Sequence, residues 1–211
     1  MSELRDYEEW HKAYDDPDSG LSWRLRTVRG FIEEVLDHHA GPIRILSSCS
    51  GDGRDLLEVL QRRSDAERVR ATLIELHPDI AQRARRAAET TGANVEVRTA
   101  DAGLSDSYQD GVPADLVLLI GIFGNICDAD LGRLIGTAPQ FCEPGATLLW
   151  SRGRHPQDRN VLVRELFVEA GFVEVDYIWK DIATLPAVGV VRYQGKPESL
   201  VTGQRLFTFL R

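Results

Sequence analysis

The chain has 211 residues, and its 25 Lys and Arg stand against 33 Asp and Glu, a formal net charge of −8. The length suits one sizeable domain, which buries roughly 70% of its unfolded surface and needs no disulfide or metal staple. The negative balance repels phosphate backbones and excludes duplex nucleic acid as the expected substrate, while leaving small molecules open.

The longest apolar run, Ala114 to Phe123, carries Asp115 and Gly121. It is half of the ~20 residues that span a bilayer, so no membrane partner is expected. MSELRDYEEW has no basic stretch followed by an apolar core, so no secretory signal is expected. Cys49, Cys127 and Cys142 are odd in number and widely spaced, which gives neither a disulfide framework nor a metal site. A reduced cytoplasm is the expected compartment.

Tyr7, Trp10 and Tyr14 recur at helical spacing, and Asp16 to Gly20 reads as a turn. Leu21, Leu25, Val28, Ile32 and Leu36 form the stripe of a second helix that Gly41-Pro42 stops. Residues 1–41 are expected to form a helical cap or lid. Residues 42–211 are expected to form the main unit of one compact domain.

There, strands are expected at Ile43–Ser48, Arg70–Leu76, Val95–Arg98, Asp115–Ile120, Ala146–Ser151, Phe172–Tyr177 and Arg205–Leu210. Helices are expected around Leu56–Leu60 and at Pro78–Thr90, Asp128–Ala138 and Asn160–Ala170. The alternation predicts an α/β fold with a doubly wound, mostly parallel sheet. Such sheets bind ligands at the carboxyl ends of their strands, so the strand ends carry the functional reading.

The first strand runs into Ser48-Cys49-Ser50-Gly51-Asp52-Gly53-Arg54-Asp55. Glycines in a tight strand-to-helix turn let the backbone approach a ligand. Glu75 ends the second strand, 22 residues after Gly53, followed by Leu76. An acid there can accept from both ribose hydroxyls of an adenosine cofactor. The third strand leads into Ala100-Asp101-Ala102, where a carboxylate can accept from an adenine amino group or cap a turn. The fourth ends in Gly121-Ile122-Phe123-Gly124-Asn125, and the fifth in Ser151-Arg152-Gly153-Arg154-His155. Five consecutive strand ends that are polar or glycine-rich are more specific than any one motif.

With those residues, the sequence from about 43 to 211 resembles the class I S-adenosylmethionine-dependent methyltransferases. The turn Cys49-Ser50-Gly51-Asp52-Gly53-Arg54-Asp55 is similar to that of a bacterial subset of them. The resemblance implies a seven-stranded Rossmann-like sheet with an antiparallel last strand. It identifies Ala170 to Val175 with the approach to strand six and Arg205–Leu210 with the final strand. It implies S-adenosylmethionine as cofactor and S-adenosylhomocysteine as product. Gly51 and Gly53 would then pass the methionine portion, Glu75 would bind ribose and Asp101 would face adenine. The family commonly has an acid where Ser47 stands and glycine where Cys49 stands, and Asp52 and Asp55 are the nearby substitutes.

The expected activity is methyl transfer to a small-molecule acceptor. A non-catalytic cofactor-binding scaffold is the alternative, supported by the altered first turn. A nicotinamide dehydrogenase fits less well. Leu56 stands where close helix packing wants Gly or Ala, and no Tyr-x-x-x-Lys pair exists. Base methylation lacks its usual acid or amide, paired prolines and aromatic after strand four.

On the substrate side, Tyr7, Trp10, Arg152 and Arg154 are candidates, the arginines for an anionic acceptor. His155, then His11 and Tyr14, are candidate bases. A solvated loop histidine and an aromatic stripe packed on the sheet are the plain alternatives.

Overall fold

The computed structural model describes residues 14, 16–154, 158–182 and 184–210. Helix α1 (Gly20–His38) starts where the Ser19 hydroxyl accepts from the Ser22 N–H at 3.0 Å, an N-cap that satisfies a free helix donor. Its Val28, Ile32 and Leu36, spaced by four, are fully buried.

Strands β1 (Ile43–Ser48), β2 (Val69–Glu75), β3 (Asn94–Thr99), β4 (Ala114–Leu119), β5 (Cys142–Gly153), β6 (Phe172–Trp179) and β7 (Pro186–Tyr193) form one sheet in the order β3-β2-β1-β4-β5-β7-β6. The first five pair in parallel, and β7 runs antiparallel to both β5 and β6. Helices α2 (Leu57–Gln61), α3 (Pro78–Ala88), α4 (Asp128–Thr137) and α5 (Asn160–Glu169) complete the layers.

Strand alternation feeds two apolar layers. Ile43, Ile45, Leu116, Leu118, Leu149 and Val188 face the side covered by α1, α2 and α3. Leu46, Val117, Leu119, Leu148, Trp150 and Val191 face the side covered by α4 and α5. Central strands buried on both faces explain their continuous apolar runs. The α1 segment of the expected cap is therefore a structural layer of the sheet.

One expected strand is corrected. The last strand is Pro186–Tyr193, not Arg205–Leu210. Seven of the eight β7 residues are buried between two partner strands, whereas the later segment buries only Leu206 and Phe207. That segment is held by scattered main-chain bonds, Leu206 N–H to Gly103 O at 2.8 Å and Leu210 N–H to Asn125 O at 2.8 Å, with one bridge at Leu104–Arg205. In β7 the Trp150 indole lies against Gly189, where a Cβ would fall 2.2 Å from Cε2. Among the described residues no helix is long and apolar enough to cross a membrane.

Candidate functional site

A cleft of about 420 Å³ opens at the carboxyl ends of β1, β2, β4 and β5. It straddles β1 and β4, where the strand order reverses and open α/β sheets bind ligands. Because β7 is antiparallel, its first residues Pro186 and Ala187 lie beside Gly153 and Arg152 and join the cleft wall.

The β1 turn supplies one wall. Cys49, Gly51 and Gly53 take φ values of 52°, 58° and 73°, the left-handed region that glycine enters freely. A Cβ on Gly53 would lie 2.7 Å from Leu57 Cδ1 and 2.8 Å from Leu73 Cδ2, so only glycine fits. The turn is tied to β2, with Ser50 N–H donating to Ile74 O at 2.9 Å and Gly51 N–H to Glu75 Oε2 at 3.0 Å. The other Glu75 oxygen accepts from His77 N–H at 2.8 Å. Glu75 is 7% exposed yet lines the cleft. A carboxylate offers about four acceptor sites, so two are left for a ligand.

Beneath the turn, Tyr108 donates to Ala102 O at 2.7 Å, and the Ser48 hydroxyl, 2.7 Å away, donates to Tyr108. Burial pushes the Tyr108 phenol up and keeps it neutral. Burial first, then the Glu75 carboxylate, pushes the Cys49 thiol up to about 12. Cys49 is therefore a neutral thiol at pH 7 and no nucleophile.

Helix α1 and the residue Tyr14 supply the roof through Leu21, Arg24, Leu25 and Val28. Arg24 Nη2 donates to the Tyr14 hydroxyl at 2.8 Å, and the Arg54 guanidinium sits 4.5 Å above the Tyr14 ring centre. Arg54 is fixed by a fork to Asp52, Nε–Oδ1 2.9 Å and Nη2–Oδ2 2.5 Å. Burial pushes both Tyr14 and Asp55 up, with Arg24 opposing each shift. Burial thus favours the protonated phenol at Tyr14.

The third wall comes from β4 and β5. Gly121 N–H donates to Ser151 Oγ at 3.0 Å, and Asn125 Nδ2 donates to Gly121 O at 2.8 Å. Arg152 Nε donates to Phe123 O at 3.2 Å, while its Nη1 is buried without a hydrogen-bond partner among the described residues.

Ser48, Cys49, Ser50, Gly51, Asp52, Asp55, Glu75, Gly121, Asn125, Arg152 and Tyr14 thus line one cleft. Gly53 shapes the turn from below. Asp101 does not line the cleft, since its carboxylate pairs with Arg205 at 2.6 Å and accepts from Gly103 N–H at 2.8 Å. Neighbouring Ala100 and the exposed Leu76 also lie outside it. Ala102, Ile122 and Phe123 are corrected to core, with Phe123 stacked against Trp150. Arg154 is corrected too, because it pairs with Asp181 and stacks over Trp179, 5.7 Å from the ring centre. Tyr7, Trp10, His11 and His155 lie outside the described residues. Sequence reasoning missed Arg24, Thr184, Pro186 and Ala187. Arg24 was findable, one turn from Val28 on the stripe that packs α1 against the sheet.

No family model and no curated protein sequence matches the chain. Solved structures do. Magnesium protoporphyrin IX methyltransferase from Synechocystis PCC 6803, with S-adenosylmethionine bound, superposes at TM-score 0.70 and 14% identity, covering 90% of this chain and 92% of that one. The 1,6-didemethyltoxoflavin-N1-methyltransferase of Burkholderia thailandensis, with its substrate and S-adenosylhomocysteine bound, gives 0.62 at 18%, covering 90% and 87%. The chain has the class I methyltransferase fold. A putative class I methyltransferase from Listeria monocytogenes agrees, at 0.63 and 14%, covering 83% of this chain and 62% of that one. Within that fold the cleft occupies the switch-point position, and Glu75 stands at the end of β2.

Proposed function

We propose that the protein transfers a methyl group from S-adenosylmethionine to a small-molecule acceptor, with S-adenosylhomocysteine as product. The observation that carries the reading is Glu75, a buried carboxylate facing the cleft with two acceptor sites to spare. Those sites suit two ribose hydroxyls, and the glycine turn beside them leaves room for close backbone approach. Two of the structural neighbours hold this cofactor or its product.

S-adenosylmethionine supplies an activated methyl on a sulfonium. The residues of this chain bind and orient. Glu75 and the turn from Ser48 to Gly51 seat the nucleoside side, and Asp55, which lines the cleft while Asp52 is forked to Arg54, is the candidate to replace the acid absent at Ser47. Leu21, Leu25 and Val28 cover the cleft with apolar surface that limits water. A base is needed only where the acceptor keeps its proton at working pH, and His155, beyond β5, is the candidate. Tyr7 and Trp10 are candidates for the acceptor side of the lid. Three free cysteines support a reducing cytoplasm as the setting.

Calorimetry with S-adenosylmethionine and S-adenosylhomocysteine tests this. Binding of both is expected, and binding of neither overturns the reading. The buried Ser47, with no carboxylate of its own, favours a second reading as a non-catalytic cofactor-binding protein. Binding without turnover across a broad acceptor panel would support that one. Loss of turnover in His155→Ala with binding intact would support the base assignment.

A further inference from the structure

Three arginines line the cleft, and they differ in how their charge is met. Arg54 is forked onto Asp52. Arg24 has the Tyr14 hydroxyl and feels the Asp55 charge. Arg152 has no carboxylate within ion-pair distance among the described residues. Its one hydrogen bond runs from Nε to Phe123 O at a long 3.2 Å. Its Nη1 is buried and unpartnered. A charged donor left in this state costs more than a typical hydrogen bond contributes, so the position is stable at a price that a bound acceptor atom would remove.

The backbone of Arg152 is fixed by the β5–β7 ladder opposite Ala187. Its Cγ rests beside Gly124, 3.9 Å from where a Cβ would stand. Around it the cleft is lined by small or neutral groups, Gly121, Asn125, Ser151, Gly153 and Thr184. None of these repels an anion, the Asp158 carboxylate acts on Arg152 from outside the cleft lining, and Asn125 and Thr184 can add hydrogen bonds. Three strand spacings separate β2 from β5 in the sheet, about 14 Å at about 4.8 Å each. Arg152 is therefore remote from Glu75 and lies on the side left for the acceptor.

We propose that the methyl acceptor carries an oxyanion, a carboxylate or a phosphate, and that Arg152 is the residue that binds it. The inference rests on the methyl-transfer reading. A planar guanidinium with free nitrogens recognises either group by paired hydrogen bonds, and a neutral analogue forfeits them.

The test uses the full chain saturated with S-adenosylhomocysteine, titrated calorimetrically with benzoate, phenyl phosphate and benzamide. One of the two anions should bind about 10-fold or more tighter than benzamide, and which one does so identifies the group. Arg152→Gln should abolish that preference while leaving the S-adenosylhomocysteine Kd and the Tm near wild type. Arg152→Lys, which keeps charge but loses the fork, should retain only part of it. Arg159→Gln, already paired with Asp128, should retain all of it. Anions no better than benzamide, or a preference that survives Arg152→Gln, overturn the assignment. Failure of S-adenosylhomocysteine to bind wild type instead overturns the methyl-transfer reading, and this inference with it.

Discussion

The two ends of the cleft are built on opposite terms. On the β1–β2 side the polar groups are matched before any ligand arrives. Glu75 holds two backbone N–H groups, Asp52 holds Arg54, and Ser48 is chained through Tyr108 to Ala102. On the β4–β5 side Arg152 keeps a buried nitrogen with no hydrogen-bond partner among the described residues. The first end is preorganised for one fixed shape, so its ligand finds the geometry already set. The second holds a guanidinium on which the Asp158 charge acts but whose hydrogen bonding is incomplete among the described residues. A shared cofactor at the first end and a selected acceptor at the second would produce this asymmetry.

The matched end can be challenged at four points, in falling order of effect. With its value at about 12, the Cys49 thiol should hold about 1000-fold less thiolate at pH 8 than a thiol at the ordinary value near 9, about 4 kcal/mol. Alkylation followed by mass spectrometry should label exposed Cys127 first and the half-buried Cys49 far more slowly. A fast-reacting Cys49 would show the end to be open. The same shift has a sign in stability. The folded state keeps its proton where the unfolded state loses it, so the contribution is full below about pH 8.5 and declines as pH rises toward 12.

Gly53→Ala forces a Cβ against Leu57 and Leu73 at a φ of 73°. Overpacking and left-handed strain together should cost about 2–4 kcal/mol. At about 2–4 °C per kcal/mol for this length, thermal unfolding should shift down by about 5–15 °C. An unchanged Tm would mean the turn yields.

Glu75→Gln puts an amide donor against either Gly51 N–H or His77 N–H. S-adenosylhomocysteine affinity should fall about 10-fold to 100-fold by calorimetry. Affinity within twofold of wild type would remove Glu75 as the ribose seat. The smallest change is Tyr14→Phe, which removes the hydroxyl that accepts from Arg24. It should cost about 0.5–1.5 kcal/mol in denaturant unfolding, and a larger loss would make the roof part of the matched end.

The fold was legible where burial imposed a simple pattern. The β4 run Ala114–Leu119 is apolar because both faces are covered, and Glu75 is findable because a polar residue ends an apolar strand. The last strand was misplaced for a physical reason. Arg205–Leu210 is rich in the aromatic and aliphatic residues that strands favour, while Pro186–Tyr193 opens on a proline and contains Gly189. What settles the choice is the gap between β5 and β6, a tertiary fact that local pattern does not carry. Phe123 was misread for a related reason, since a strand-end aromatic can turn toward ligand or core and only Trp150 and Phe167 decide it. Asp101 and Arg154 failed through partners 104 and 27 residues away.

The indole of Trp150 occupies the volume that any side chain at position 189 would need. Neither residue lines the cleft, yet they face each other in the same β5–β7 ladder that sets Pro186 and Ala187 beside Gly153 and Arg152. Evolution can then alter this column only in concert. A lineage that gains a methyl at 189 must shrink the ring at 150, and in doing so it redraws the β5–β7 wall of the cleft from behind. Changes in what the cleft admits therefore begin in a pair of residues outside its lining.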